Sequence, residues 1–190
     1  MPTESTPIKK MLGMKQRKTF LLRTLILTGI ALLASTVLAA RAQDLPPAIN
    51  LPEDARQAAQ QRIPLIVLFS LPGCPHCEMV RNSHLNPMQR TPAATRKAIL
   101  RQIDVSSVAP LIGFDGREIT HDAFARLHAV RLAPVVMFFD QGGKILAKPL
   151  VGSMLPDFYG AYLENALEES LRRLGNPAAA SGNDTSICTH

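Results

Sequence analysis

Apolar and polar positions along this chain fall into blocks with distinct periods, and the blocks predict an ordered set of elements. Leu51-Pro52-Glu53-Asp54 opens a helix, because Pro and acidic residues suit a first turn, and the pattern carries it to about Arg62. Pro64 ends it. Leu65 to Phe69 is an unbroken apolar run, which suits a central strand buried on both faces. Leu71-Pro72-Gly73 reads as a turn, followed by Cys74-Pro75-His76-Cys77 and a helix over Glu78 to His84 that Asn86-Pro87 should break. A shorter helix is expected over Thr91 to Ala98, and a strand over Ile99 to Val105. Residues 106–119 read as loop. Thr120 and Asp122 are placed to cap a helix over Ala123 to Ala129 that buries Phe124, Leu127 and Val130. Pro134 to Phe139 is a third strand, Asp140-Gln141-Gly142-Gly143 a hairpin turn and Lys144 to Lys148 its return strand. Pro156-Asp157 opens a last helix with Phe158, Tyr162, Ala166, Leu171 and Leu174 near helical spacing, stopped at Gly175-Asn176-Pro177. Helices that alternate with strands around one hairpin predict an α/β class, with a mixed central sheet and helices on both faces. No internal repeat is found.

Charge changes the picture at the N-terminus. The chain has 190 residues, a formal charge of +6 and a pI near 9.6, a balance that points toward anionic partners. Yet residues 1–42 hold seven basic side chains against Glu4 alone, so residues 43–190 keep 14 basic and 14 acidic groups and no net charge. Basic residues from Lys15 to Arg23 precede the apolar run Thr24–Ala40, and Ala40-Arg41-Ala42 places small residues two apart. This is the three-part layout of a secretory signal peptide, with translation expected to start at Met14 or Met11 and cleavage expected after Ala42. An uncleaved membrane anchor is the alternative, though about 17 apolar residues is short for a span. Arg17-Lys18 lacks the second Arg of a twin-arginine signal, which favours the general secretory route. The expected organisation is therefore 1–42 extension and signal peptide, 43–174 folded domain and 175–190 disordered tail. Export puts the domain in an oxidising compartment, the periplasm. Nucleic-acid binding loses its support once the charge is assigned to the leader.

The chemistry centres on Cys74 and Cys77. A strand, a tight turn and C-x-x-C opening a helix place both sulfurs within one turn, close enough to bridge. Cys74 at the helix N-terminus meets unpaired N–H groups and the positive end of the dipole, which lower its pKa below the ordinary thiol value of about 8.5. Its thiolate would attack a disulfide, and Cys77, one turn inward, would resolve the mixed disulfide. Pro75 supplies no N–H where none is needed. His76 can bring positive charge or a hydrogen bond near the Cys74 sulfur. Three other readings stand beside redox chemistry. Half of a zinc site would want a second pair that the chain lacks. A haem attachment would want His where Glu78 stands. A purely structural bridge over so short a span would close little loop entropy. No metal site and no cofactor beyond the two thiols are expected, and Cys188 is expected to be a free thiol.

These residues resemble the thioredoxin superfamily over about 52–174. The resemblance rests on Phe69 through Cys77 after an apolar strand, on Ala133-Pro134 leading into Val135–Asp140 and a Gly turn, and on the C-terminal amphipathic helix. It implies a thioredoxin-like fold, a cis Ala133–Pro134 bond with Pro134 against the cysteine pair, and substrate peptide pairing with the backbone of Ala133. Thioredoxins proper carry Trp before the first Cys and a carboxylate in the preceding strand, where this chain has Gly73 and Leu68. The missing carboxylate argues against a fast general reductase. The Cys-Pro-His-Cys sequence resembles that of periplasmic disulfide oxidases, but the 56 residues between Cys77 and Pro134 are too few for their helical insertion.

The expectation is a monomeric, exported thiol–disulfide oxidoreductase acting on protein thiol or disulfide clients with a membrane redox partner, the direction of electron flow left open. A non-catalytic, thiol-based metal-binding or assembly module is the alternative. The residues expected to matter are Cys74 and Cys77 for catalysis, Pro75 and His76 for tuning the thiol, and Ala133 and Pro134 for binding substrate.

Overall fold

The computed structural model describes residues 45–153 and 156–177, which belong to the unit Asp44–His190. The leader and anchor readings of residues 1–42, and Cys188, lie outside the described residues. Among those described, no helix is long and apolar enough to cross a membrane.

A four-stranded mixed sheet organises the domain. Strand β1 (Leu65–Ser70) lies centrally, parallel to β2 (Ile99–Asp104) and antiparallel to β5 (Val135–Phe139), with β6 (Leu150–Val151) on the far edge. All six residues of β1 are buried, as an unbroken apolar run on a central strand requires. Odd-numbered positions of β1 face α1 (Leu51–Gln60) and α4 (His121–Leu127): Phe69 stacks on Phe124 with ring centroids 6.2 Å apart. Even-numbered positions face the other layer. There Arg81, just beyond α2 (Pro75–Val80), reaches Ser70, and Leu100 lies beside Leu163 and Leu167 of α5 (Pro156–Arg173). Two helical layers thus bury both sheet faces in one apolar core.

Several elements depart from the sequence expectation. Asn86-Pro87 does not end the helix after the cysteines. The chain passes through a π-helical turn (Arg81–Leu85) and resumes as α3 (Asn86–Gln89), where Pro87 sits in a first turn that has no need of its N–H. The helix expected over Thr91–Ala98 is a single 3₁₀ turn, Ala93–Thr95, and the expected loop 106–119 holds a two-stranded antiparallel ribbon, β3 (Pro110–Ile112) and β4 (Glu118–Thr120). The return strand is not Lys144–Lys148, which contributes one bridge at Ile145, but Leu150–Val151. Leu127, Phe158 and Tyr162 are exposed; α5 buries Ala166 and Leu171 as expected, together with Tyr159, Leu163, Leu167 and Ser170.

Two polar contacts fix the lead-in and the first helix. Arg101 on β2 donates through both Nε and Nη2 to the buried carboxylate of Asp54 on α1. The imidazole of buried His121 spans the Ala48 carbonyl at 2.9 Å and the Asp104 N–H at 3.2 Å, so Nε2 donates and Nδ1 accepts. Residues 46–48 hydrogen-bond along Gln102 and cover the open edge of β2. Beyond α5, Asn176 donates to the carbonyls of Gln61 and Arg62, so ordered contacts continue past Leu174.

Candidate active site

The site lies at the C-terminal end of β1, where the chain leaves the sheet through Leu71-Pro72-Gly73. Gly73 has φ +69°, and a Cβ there would meet nothing within 4 Å. Glycine is required by backbone conformation rather than by crowding. That turn delivers Cys74 to the N-cap of α2 with extended dihedrals, and Pro75 takes the first helical position.

Cys74 and Cys77 are joined as a disulfide with Cα atoms 5.2 Å apart. The Cys74 sulfur is half-buried and accepts the Cys77 N–H at 3.2 Å, in the place an Asn or Ser oxygen takes at an ordinary helix cap. Cys77 is fully buried. The two sulfurs are therefore inequivalent: one meets solvent and a free helix donor, the other is sealed in the core. Facing them is the segment before β5. The Ala133–Pro134 peptide bond is cis, and the Ala133 carbonyl oxygen lies 4.0 Å from the Cys74 sulfur. Pro134 is buried and its carbonyl accepts the Gly152 N–H at 2.8 Å. Ala133 makes no backbone–backbone hydrogen bond to the described residues.

The structure brings together all six residues singled out in the sequence, with Pro75 and His76 exposed on the first turn of α2. It also adds neighbours that sequence reasoning missed. The His76 Nδ1 is not bonded to sulfur. It lies 2.7 Å from the hydroxyl of Ser153, a buried residue just beyond β6. Behind the active-site turn, the guanidinium of Arg81 donates to Glu78 at 2.5 Å, to Gln102 at 2.7 Å and to Ser70 at 3.3 Å. Arg81 is buried apart from a sliver of surface, so these partners are what make its charge tolerable there. It stands one turn beyond Cys77, on the sheet face of fully buried Leu68. No signal in the sequence marks Arg81 or Ser153, because their partners come from Ser70, Gln102 and His76, distant in the chain.

Farther along the helical run, His84 packs on Tyr159 with ring centroids 5.0 Å apart, and burial holds its pKa below the ordinary imidazole value. Burial likewise pushes the Tyr159 phenol above its usual range, so the hydroxyl stays protonated. On the opposite face, half-buried His128 lies against Phe69, Phe124 and Phe139, and burial again favours the neutral ring.

A bridged cysteine pair capping a helix, opposite a proline-started strand, is the site of a redox-active dithiol protein. The chain belongs to the thioredoxin-like domain family, which matches residues 51–167. It is similar to oxidised mitochondrial thioredoxin 3 from Saccharomyces cerevisiae, at 18% identity over 66% of this chain and 94% of that one, with a TM-score of 0.43. It is also similar to the oxidised C-terminal domain of DsbD from Neisseria meningitidis, at 18% identity over 70% and 95% with a TM-score of 0.42. A third likeness is to thioredoxin NaTrxh from Nicotiana alata, at 18% identity over 64% and 94% with a TM-score of 0.40. Comparison with curated proteins finds no match.

Proposed function

We propose that this protein is an exported thiol–disulfide oxidoreductase of the periplasm that exchanges disulfides with protein clients. The observation that carries the reading is the inequivalence of the two sulfurs: Cys74 accepts the Cys77 N–H at 3.2 Å on a half-buried helix cap, while Cys77 is fully buried. The same donor that bonds the Cys74 sulfur here stabilises negative charge on it once the bridge is opened.

In the reducing direction, the Cys74 thiolate attacks one sulfur of a client disulfide. A Cys74–client bond forms, the client bond breaks, and the client's other sulfur leaves as a thiolate that takes up a proton. Cys77 then loses its proton and attacks Cys74. The intramolecular bridge forms and the second client thiol departs. The client gains two electrons and two protons, and the pair loses them. The oxidising direction is the same sequence reversed. An extended client peptide pairs with the backbone of Ala133 and rests on the exposed apolar side chains of Leu71, Leu132 and Val151. Electrons pass to or from a membrane redox partner. The protein acts as a monomer and does not use nucleic acid. The basic leader supplies the export signal.

The test is exchange with a disulfide-bonded peptide, followed by thiol trapping and mass spectrometry. Wild type should cycle between the dithiol and disulfide forms. Cys74→Ser should lose all exchange, and Cys77→Ser should accumulate the Cys74–client mixed disulfide. Full turnover by Cys74→Ser would overturn the reading. Stoichiometric Cu(I) or Zn(II) binding by the reduced protein without turnover would favour a metal-binding module instead.

A further inference from the structure

We propose that Ser153 is a positioning residue for the cysteine pair, acting through His76 and biasing the pair toward its disulfide form. The proposal rests on the thiol–disulfide reading above. Its starting observation is the 2.7 Å contact between the Ser153 hydroxyl and Nδ1 of His76, two residues separated by 77 positions in the chain.

Ser153 is 8% exposed, so its hydroxyl needs a partner inside the protein. The backbone leading to it is held firmly. Val151 pairs with Val135, and the next N–H, of Gly152, bonds the Pro134 carbonyl at 2.8 Å. The hydroxyl is thus carried just beyond β6, which is bonded to the segment whose Ala133 carbonyl lies 4.0 Å from the Cys74 sulfur. The imidazole is the freer member of the pair, exposed on the first turn of α2. While Cys74 and Cys77 are bridged, neither sulfur carries charge, and the Ser153 hydroxyl holds Nδ1.

Reduction changes the competition. The bridge and two glutathione thiols give two protein thiols and glutathione disulfide. Two electrons and two protons enter the pair, and Cys74 then releases its proton to solvent and becomes a thiolate. A thiolate two residues from His76 is a stronger acceptor for an imidazole N–H than a neutral hydroxyl, because hydrogen bonds to charged groups are roughly twice as strong as neutral ones. A ring that turns toward the sulfur gives up Ser153. The serine contact therefore belongs chiefly to the disulfide form, and it opposes reduction.

The experiment uses the full chain equilibrated with reduced and oxidised glutathione at pH 7, with the dithiol fraction read by thiol trapping. Ser153→Ala should move the equilibrium constant toward the dithiol by about three- to tenfold, a potential less negative by about 14–30 mV. Ser153→Thr keeps the hydroxyl and should stay within about twofold of wild type. In a His76→Ala background the Ser153→Ala shift should vanish. An equal shift in that background, or no shift in wild type, overturns the proposal. Should Ser153→Ala fail to fold, nitrogen NMR of the oxidised wild type decides: a hydrogen-bonded Nδ1 at His76 supports the proposal, and a solvated one overturns it. A wild type that never exchanges with glutathione overturns the functional reading as well. A wild type that exchanges while Ser153→Ala leaves it unmoved overturns this inference alone.

Discussion

The backbone N–H of Cys77 points at the sulfur of Cys74, 3.2 Å away, so the residue we propose as the resolving thiol also supplies a donor to the sulfur we propose as the nucleophile. That donor is rigid, because it belongs to the first turn of α2. Reduced protein should therefore carboxymethylate at Cys74 first, with a pH–rate midpoint below the ordinary thiol value of about 8.5. Peptide mapping after brief alkylation checks the order. Equal labelling of Cys77 would contradict the burial difference between the two.

Asp54 and Arg101 join α1 to β2 through a two-pronged ion pair that is largely out of solvent. Removing one partner leaves the other charge poorly solvated. Asp54→Ala should cost about 3 kcal/mol, measured as a shift in the urea midpoint at constant slope. A change below about 0.5 kcal/mol would mean the pair is solvated like a surface bridge.

His128 makes acid stability testable. Burial among three phenylalanines holds its folded pKa below the unfolded value of about 6.5, so the unfolded chain takes up the proton first as the pH falls. The stability contributed by the neutral ring is complete above that unfolded value and is lost as the pH drops toward the depressed folded one. Urea midpoints should fall between pH 7 and pH 5, and His128→Leu should flatten part of that fall. His84 works in the same direction and should account for some of the remainder. An identical pH slope in His128→Leu would rule the assignment out.

Gly73 holds a left-handed backbone directly before Cys74 in open space. Gly73→Ala should fold, at a cost of about 1–2 kcal/mol, since only the backbone conformation resists the substitution. Gly143→Ala is the contrast. Its Cβ would lie 2.6 Å from the Phe114 ring as well as at φ +81°, so it should cost more. Equal midpoints for the two variants would remove the distinction between strain alone and strain with crowding.

Much of the fold was legible because it is written locally. An unbroken apolar run, a Pro-Glu-Asp helix start and a Cys pair opening a helix each depend on neighbours in the chain: β1 and α1 begin where those signals put them, and Cys74 caps α2, although that helix starts at Pro75, three residues before Glu78. The edges were not legible. Strand pairing decided that Leu150–Val151, rather than Lys144–Lys148, returns along β5, and that residues 110–120 form a ribbon instead of a loop. Periodicity alone placed Phe158 and Tyr162 inward. The packing of α5 against Leu100 turned the helix so that Tyr159 and Leu163 are buried.

The sequence by itself determined which atoms can do chemistry: two thiols three positions apart at the start of a helix, with a proline and a histidine between them. Only the tertiary structure decided what surrounds them. Ser153 reaches His76 because β6 pairs with β5, and Arg81, just beyond α2, reaches both Ser70 and Gln102 because β1 and β2 lie side by side in the sheet. The physical reason is range. Caps, turns and apolar periods act over a few residues and leave a local signature, whereas a hydrogen bond between side chains brought together by strand register leaves none.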